Sequence, residues 1–153
     1  EGKRMFRERV LAAIALSGAI VAASAIVLET LPDGTVLVFG LGDGGIVREA
    51  YPYFSLVPYG FGNFGPFLAA ILTCAALTVS VLSVFWYHKW IAAMWVHFSG
   101  GAFICSLMPI WFGVMHLTAV GVAIALALAA EFVLALSGWR IFARKIEFDK
   151  IFH

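Results

Sequence analysis

From Leu117 to Trp139 the chain reads LTAVGVAIALALAAEFVLALSGW, a stretch with a single charged side chain, Glu131. A helix rises about 1.5 Å per residue and a bilayer's hydrocarbon core is about 30 Å thick, so a run of this length and character crosses a membrane. Val10 to Leu28, Phe67 to Tyr87 and Trp90 to Phe112 have the same character. The sequence therefore predicts an all-α membrane protein, a four-transmembrane-helix bundle with spans at 10–28, 67–87, 90–112 and 117–139. Residues 29–66 are read as an outer loop and 140–153 as a tail, all of one membrane domain.

Composition points the same way. Hydrophobic residues make up 63% of the chain and charged residues 12%, with a mean hydropathy of +0.99, far from the roughly 25% charged of a water-soluble domain. The net charge of +1 provides no broad field for a nucleic-acid partner. The third span carries Pro109 near its end and Gly100-Gly101 at its middle, which predicts a bend or a close approach by a neighbouring helix. In the first span, small residues recur at four-residue spacing, as in Ala13 to Ser17 and Gly18 to Ala22, a pattern that packs helices closely within a bundle or between copies.

Orientation follows from the basic residues. Lys3, Arg4, Arg7 and Arg9 precede the first span, Lys89 joins the second to the third, and Arg140, Arg144, Lys145 and Lys150 follow the fourth, leaving Arg48 alone on the other side. The positive-inside rule makes the majority side cytoplasmic, with both termini, at the cell membrane. Trp86, Tyr87, Trp90 and Trp139 on that side and Tyr51, Tyr53, Tyr59 and Trp111 on the other form the aromatic belts of an interface. A cleaved signal peptide is the rival reading of the first span, but Val10 to Leu28 is long for its apolar core. Met5 is a candidate start, with Glu1 to Arg4 as a remnant ahead of it. The tail mixes apolar and charged residues from Arg140 to Phe152 and reads as an amphipathic segment lying on anionic lipid.

Within the loop, Thr35-Val36-Leu37-Val38-Phe39 lies between Pro32-Asp33-Gly34 and a glycine-rich run from Gly40 to Gly45, a strand between turns, and Ile46-Val47 has room for a second short strand. Gly40 and Gly42 lack the lysine of a phosphate loop. From Tyr51 to Pro66 the loop is uncharged and rich in Tyr, Phe, Gly and Pro, too apolar to extend into water. It is read as a cap across the outer mouth of the bundle or in the interface, or as a surface for a partner through Tyr51, Tyr53, Phe54, Tyr59, Phe61 and Phe64. The segment from Tyr53 to Leu56 and from Pro58 to Pro66, running into an apolar helix, resembles that of small four-span membrane proteins of Gram-positive bacteria, which brings no catalytic residues. The order of elements is similar to that of claudins, whose tryptophan and paired-cysteine loop signature is missing, since this loop holds no Trp and no Cys.

Ionisable groups inside spans are costly and mark candidate sites. His97 and Glu131 fall about 10 and 12 Å from the cytoplasmic ends of their spans, with Ser17, Thr78 and Ser80 near that level, so they are read as a polar cluster for a proton or cation, as a structural hydrogen-bonded pair, or as two residues that face different neighbours. Cys74 and Cys105 lie at matching depths on the hairpin of spans two and three, either as a thiol pair or as two small packing residues. No metal-ligand spacing, cofactor motif or nucleophile beside a base is present, and metal, cofactor and enzyme readings are set aside. The favoured expectation is a non-enzymatic structural or accessory membrane protein whose outer aromatic loop binds a partner protein, membrane lipid or a second copy. The alternative is a subunit of a small oligomeric channel or transporter using His97 and Glu131.

Overall fold

A computed structural model of the chain describes residues 2–40 and 44–151, with side chains for all of these except 3, 4 and 144–151. Helix α1 (Gly2–Glu29) is followed by strands β1 (Thr35–Gly40) and β2 (Ile46–Tyr51), a short helix α2 (Val57–Gly60), α3 (Gly65–Phe85), α4 (Lys89–Ser106), a single turn α5 (Met108–Trp111) and α6 (Ala119–Ile151). Four helices are long and apolar enough to cross a membrane, over Met5–Glu29, Gly65–Phe85, Lys89–Trp111 and Ala119–Ala143. They form an antiparallel ring in the order α1, α3, α4, α6. The start of α1 and the end of α6 lie at one end, called the terminal end below, and the strands lie at the other, the hairpin end.

The inward stripes repeat every seven residues. They run through Leu11, Ala15, Gly18, Ala22, Ala25 and Glu29 on α1; Ala69, Thr73, Ala76, Ser80 and Ser83 on α3; Ala92, Trp95, Ser99, Ala102 and Ser106 on α4; and Gly121, Ile124, Leu128, Glu131, Ala135 and Gly138 on α6, all buried. Steps of three and four residues average 3.5 per turn, slightly below the helix's own 3.6, which favours a left-handed supercoil. Most stripe residues are small because helices in lipid gain little from apolar burial and much from close backbone approach.

The small row from Gly18 to Ala22 faces this core, whereas Ala13 and Ser17 are exposed. A Cβ on Gly18 would collide with the Trp95 ring from the diagonally opposite α4. Gly18→Val is therefore expected to lose about 1–3 kcal/mol by overpacking, read as a lower midpoint of thermal unfolding in detergent micelles.

Element ends follow local chemistry. α1 ends at Glu29, three residues ahead of Pro32, and just past it Thr30 Oγ1 donates to Val27 O at 2.7 Å. Pro66 opens α3, where a missing N–H costs nothing. His88 is extended and caps α4, its Nδ1 accepting from Trp90 N. The helix expected over 90–112 stops at Ser106, and Pro109 heads the separate turn α5. At the glycine pair the helix is unbroken and the neighbours come close: a Cβ on Gly100 would meet the Phe132 ring at 2.9 Å and one on Gly101 would meet Leu72 at 3.1 Å.

β1 pairs antiparallel with β2 from Thr35↔Tyr51 to Gly40↔Ile46. β1 packs its first residues against the bundle, while β2 is almost wholly exposed. The hairpin is tied to the α5–α6 connection: Thr118 Oγ1 lies 2.6 Å from Asp33 O, His116 Nδ1 2.8 Å from Val36 O, and Arg48 Nη2 donates to Met115 O at 2.8 Å. Part of the glycine-rich turn, residues 41–43, and the side chains of the amphipathic tail beyond Ala143 lie outside the described residues.

Candidate functional site

The polar residues expected to cluster separate. His97 is exposed on the outer face of α4, its Nδ1 2.7 Å from Ala93 O. Ser17 and Thr78 are also exposed and donate to Ala13 O and Cys74 O. Each satisfies its polar group on the carbonyl four residues back in its own helix, so none needs a partner across the bundle. His97 lies two residues from Trp95 and two from Ser99, both inward, which turns it away from the core and from Glu131. Ser80 is buried but bonds its own helix at Leu77 O. Only Glu131 of the expected pair enters the core.

A second acid, Glu29, is buried in the core as well. The α1 stripe continues one more step past Ala25 and delivers Glu29 into the bundle rather than to the start of the loop. Both carboxyl groups have 0% exposure, and they lie within electrostatic range of each other. Helix geometry leans each toward the other's level, because every Cα–Cβ bond tilts toward its helix N-terminus. Glu29 leans toward the terminal end and Glu131, on the oppositely directed α6, leans toward the hairpin end.

Thr73 Oγ1 lies 2.8 Å from Glu29 Oε1 and 2.8 Å from Ala69 O. Trp95 Nε1 donates to Glu131 Oε1 at 3.3 Å. The second oxygen of each carboxyl, Glu29 Oε2 and Glu131 Oε2, is buried with no hydrogen-bond partner among the described residues. No basic side chain among the described residues faces the pair.

The hairpin end is closed over this site. Tyr53, assigned by its sequence context to a partner surface, is instead fully buried, with its N–H donating to Glu29 O at 3.0 Å and its hydroxyl 3.5 Å from Ser106 O. Glycines make room for it, since a Cβ on Gly34 would meet the Tyr53 ring at 2.9 Å. Burial and the nearby Glu29 carboxyl push the Tyr53 hydroxyl well above the ordinary tyrosine range, so it stays a neutral phenol. Tyr51 is half-buried and its hydroxyl donates to the Glu49 carboxylate, whereas Phe54, Tyr59, Phe61 and Phe64 are exposed.

The terminal end is open. A cleft of about 660 Å³ there is walled by the α3–α4 connection and Phe142 and reaches the inward residues Leu11 and Ser83. Between this cleft and Glu131 lies an apolar collar of Ala15, Ala76, Val79, Trp95 and Ala135. Cys74 is exposed, Cys105 packs against the upper core, and both are free thiols.

Glu29, Thr73 and Trp95 are the site residues that the linear reading missed. The signal was present as register: counting by threes and fours from Ala22 and Ala25 reaches Glu29, as counting from Ala135 reaches Glu131. Comparison with protein-family models, with curated proteins and with solved structures finds no match, and the chain's function is read from this geometry.

Proposed function

We propose that this multi-pass membrane protein binds and releases protons or small cations at the Glu29–Glu131 carboxyl pair, as the exchange site of a small transporter or channel subunit. The observation that carries the reading is the pair itself: two fully buried carboxyl groups on adjacent helices, each with an unpartnered oxygen. An uncompensated buried carboxylate is too costly to persist. With no base facing it, the pair must be neutralised by something that comes from solution, and an exchange site requires this. Retaining two acids in a core otherwise built of small and apolar residues brings a desolvation cost that packing alone does not require. In this reading the terminal end faces the cytoplasm, following the bias of basic residues.

The experiment is an ion-flux assay in proteoliposomes carrying an internal pH dye, with imposed gradients of protons, Na+ and K+. Glu29→Gln and Glu131→Gln, checked for folding by circular dichroism, are expected to cut the flux about tenfold or more, the scale of coupling between linked sites. Equal flux in wild type and in the double variant would leave the pair a structural one.

A second reading is supported by the exposed rings at the hairpin end, where Tyr59 is 52% and Phe61 61% exposed. As an accessory membrane protein, the chain would use this apolar rim against lipid, a partner protein or a second copy. The double variant would leave that role unchanged, which separates the two readings.

A further inference from the structure

We propose that each carboxyl of the pair is occupied by a proton, and that these protons enter and leave from the terminal end past Trp95. The inference rests on the exchange reading above and assigns it a substrate and a side.

The identity of the occupant follows from hydrogen-bond inventory. Thr73 has one hydroxyl proton and lies 2.8 Å from two acceptors, Glu29 Oε1 and Ala69 O. If Glu29 were an anion, the single hydroxyl hydrogen would be divided between two acceptors in a weaker three-centre contact. A proton on Glu29 satisfies both: the carboxyl O–H donates to Thr73 Oγ1, and Thr73 donates to Ala69 O. A metal ion needs about four to six donor atoms. Around the pair, Ala69, Ala102, Ile124 and Leu128 pack as hydrocarbon, and among the described residues no three of His, Cys, Asp and Glu group to hold a metal.

The groups that face the pair add no competing charge. The loop contributes Tyr53, α3 contributes Thr73, with the exposed Cys74 thiol turned outward beside it, α4 contributes Trp95 and Ser99, and α6, among the described side chains, contributes Glu131. Beyond the collar, Glu8 from α1 and His88 from the α3–α4 connection line the cleft.

The side of access follows from what closes each end. At the hairpin end the Tyr53 ring fills the mouth, Gly34 and Gly121 pack against it and each other, and Thr118 fastens the strand to α6. At the terminal end the cleft is walled in part by the buried residues Leu11 and Ser83, and one apolar layer lies between it and Glu131. Alanines cannot move out of that layer, and Trp95 is its largest member. The indole spans the bundle from Gly18 to Glu131, so its N–H reports directly on the carboxyl that the collar screens. A tilt of this one ring joins the cleft to Glu131.

The test follows the infrared C=O band of protonated carboxyl after a pH step applied outside sealed proteoliposomes, sorted into termini-out and hairpin-out populations by an N-terminal epitope. The band is assigned by its loss in Glu29→Gln and Glu131→Gln. It is expected to follow the step in termini-out vesicles, and in hairpin-out vesicles only after a proton ionophore is added. Trp95→Phe, which keeps an aromatic ring but deletes the hydrogen bond to Glu131, is expected to speed the termini-out response about tenfold. A prompt response in hairpin-out vesicles overturns the side of access and leaves the exchange reading intact. Loss of the band on adding NaCl, KCl or CaCl2 at fixed pH overturns the proton and leaves a cation site. A band that no pH step moves overturns both this inference and the exchange reading.

Discussion

Replacing Trp95 with alanine is expected to lower the free energy of unfolding by about 3–5 kcal/mol, the range for removing a large aromatic side chain from a packed core. Trp95 is among the largest fully buried side chains, crosses the bundle to Gly18, and supplies the only hydrogen bond to Glu131 among the described residues. Alanine leaves a cavity between four helices whose other lining residues are mostly too small to close it. Titration from mild micelles into sodium dodecyl sulfate, followed by far-ultraviolet circular dichroism, measures the loss. Trp95→Phe separates the contributions, since it retains much of the volume and removes only the donor. A loss below about 1 kcal/mol for the alanine variant would mean that the collar is not a packed layer, because even modest core truncations exceed that value.

Tyr53→Ala is expected to be nearly as damaging, again about 3–5 kcal/mol, although Tyr53 belongs to a loop. Its ring is the only aromatic side chain in the upper core cluster that is fully buried, packing with Ala25, Ala69, Ala102 and Leu128. Tyr53→Phe should cost under about 1 kcal/mol, because the hydroxyl lies a long 3.5 Å from Ser106 O and a weak bond contributes little. The same titration reads both variants. Equal losses for alanine and phenylalanine would shift the role of Tyr53 from filling space to holding Ser106.

The spans were legible because membrane-crossing helices are written in length and hydropathy, and the four runs need no tertiary information. Boundaries moved where a local rule acted, as at Pro109, where the third helix ends early. β2 was only half visible: Arg48, Glu49 and Ala50 face water on a strand supported on one side by β1, so no alternation of apolar and polar residues marks it. The site was harder to read because depth was used in place of register. His97 and Glu131 share a level, but a helix turns about 100° per residue, and level says nothing about direction. The seven-residue spacing that leads through Trp95 and Ser99 excludes His97 and, on α1, includes Glu29. Tyr53 was missed as core because the neighbouring rings, Phe54, Tyr59 and Phe61, do face outward, and nothing local distinguishes the one that turns in.

The shared seven-residue stripe also governs how this chain can vary. A single residue inserted into a span would rotate everything beyond it by about 100°, carrying Glu29 or Glu131 out toward the acyl chains and Gly18 away from Trp95. Additions at the glycine-rich turn between β1 and β2 would rotate nothing. Sequence drift in this architecture is therefore expected to be lopsided, with the loops free to gain and lose residues while the spans keep their lengths and change only by substitution.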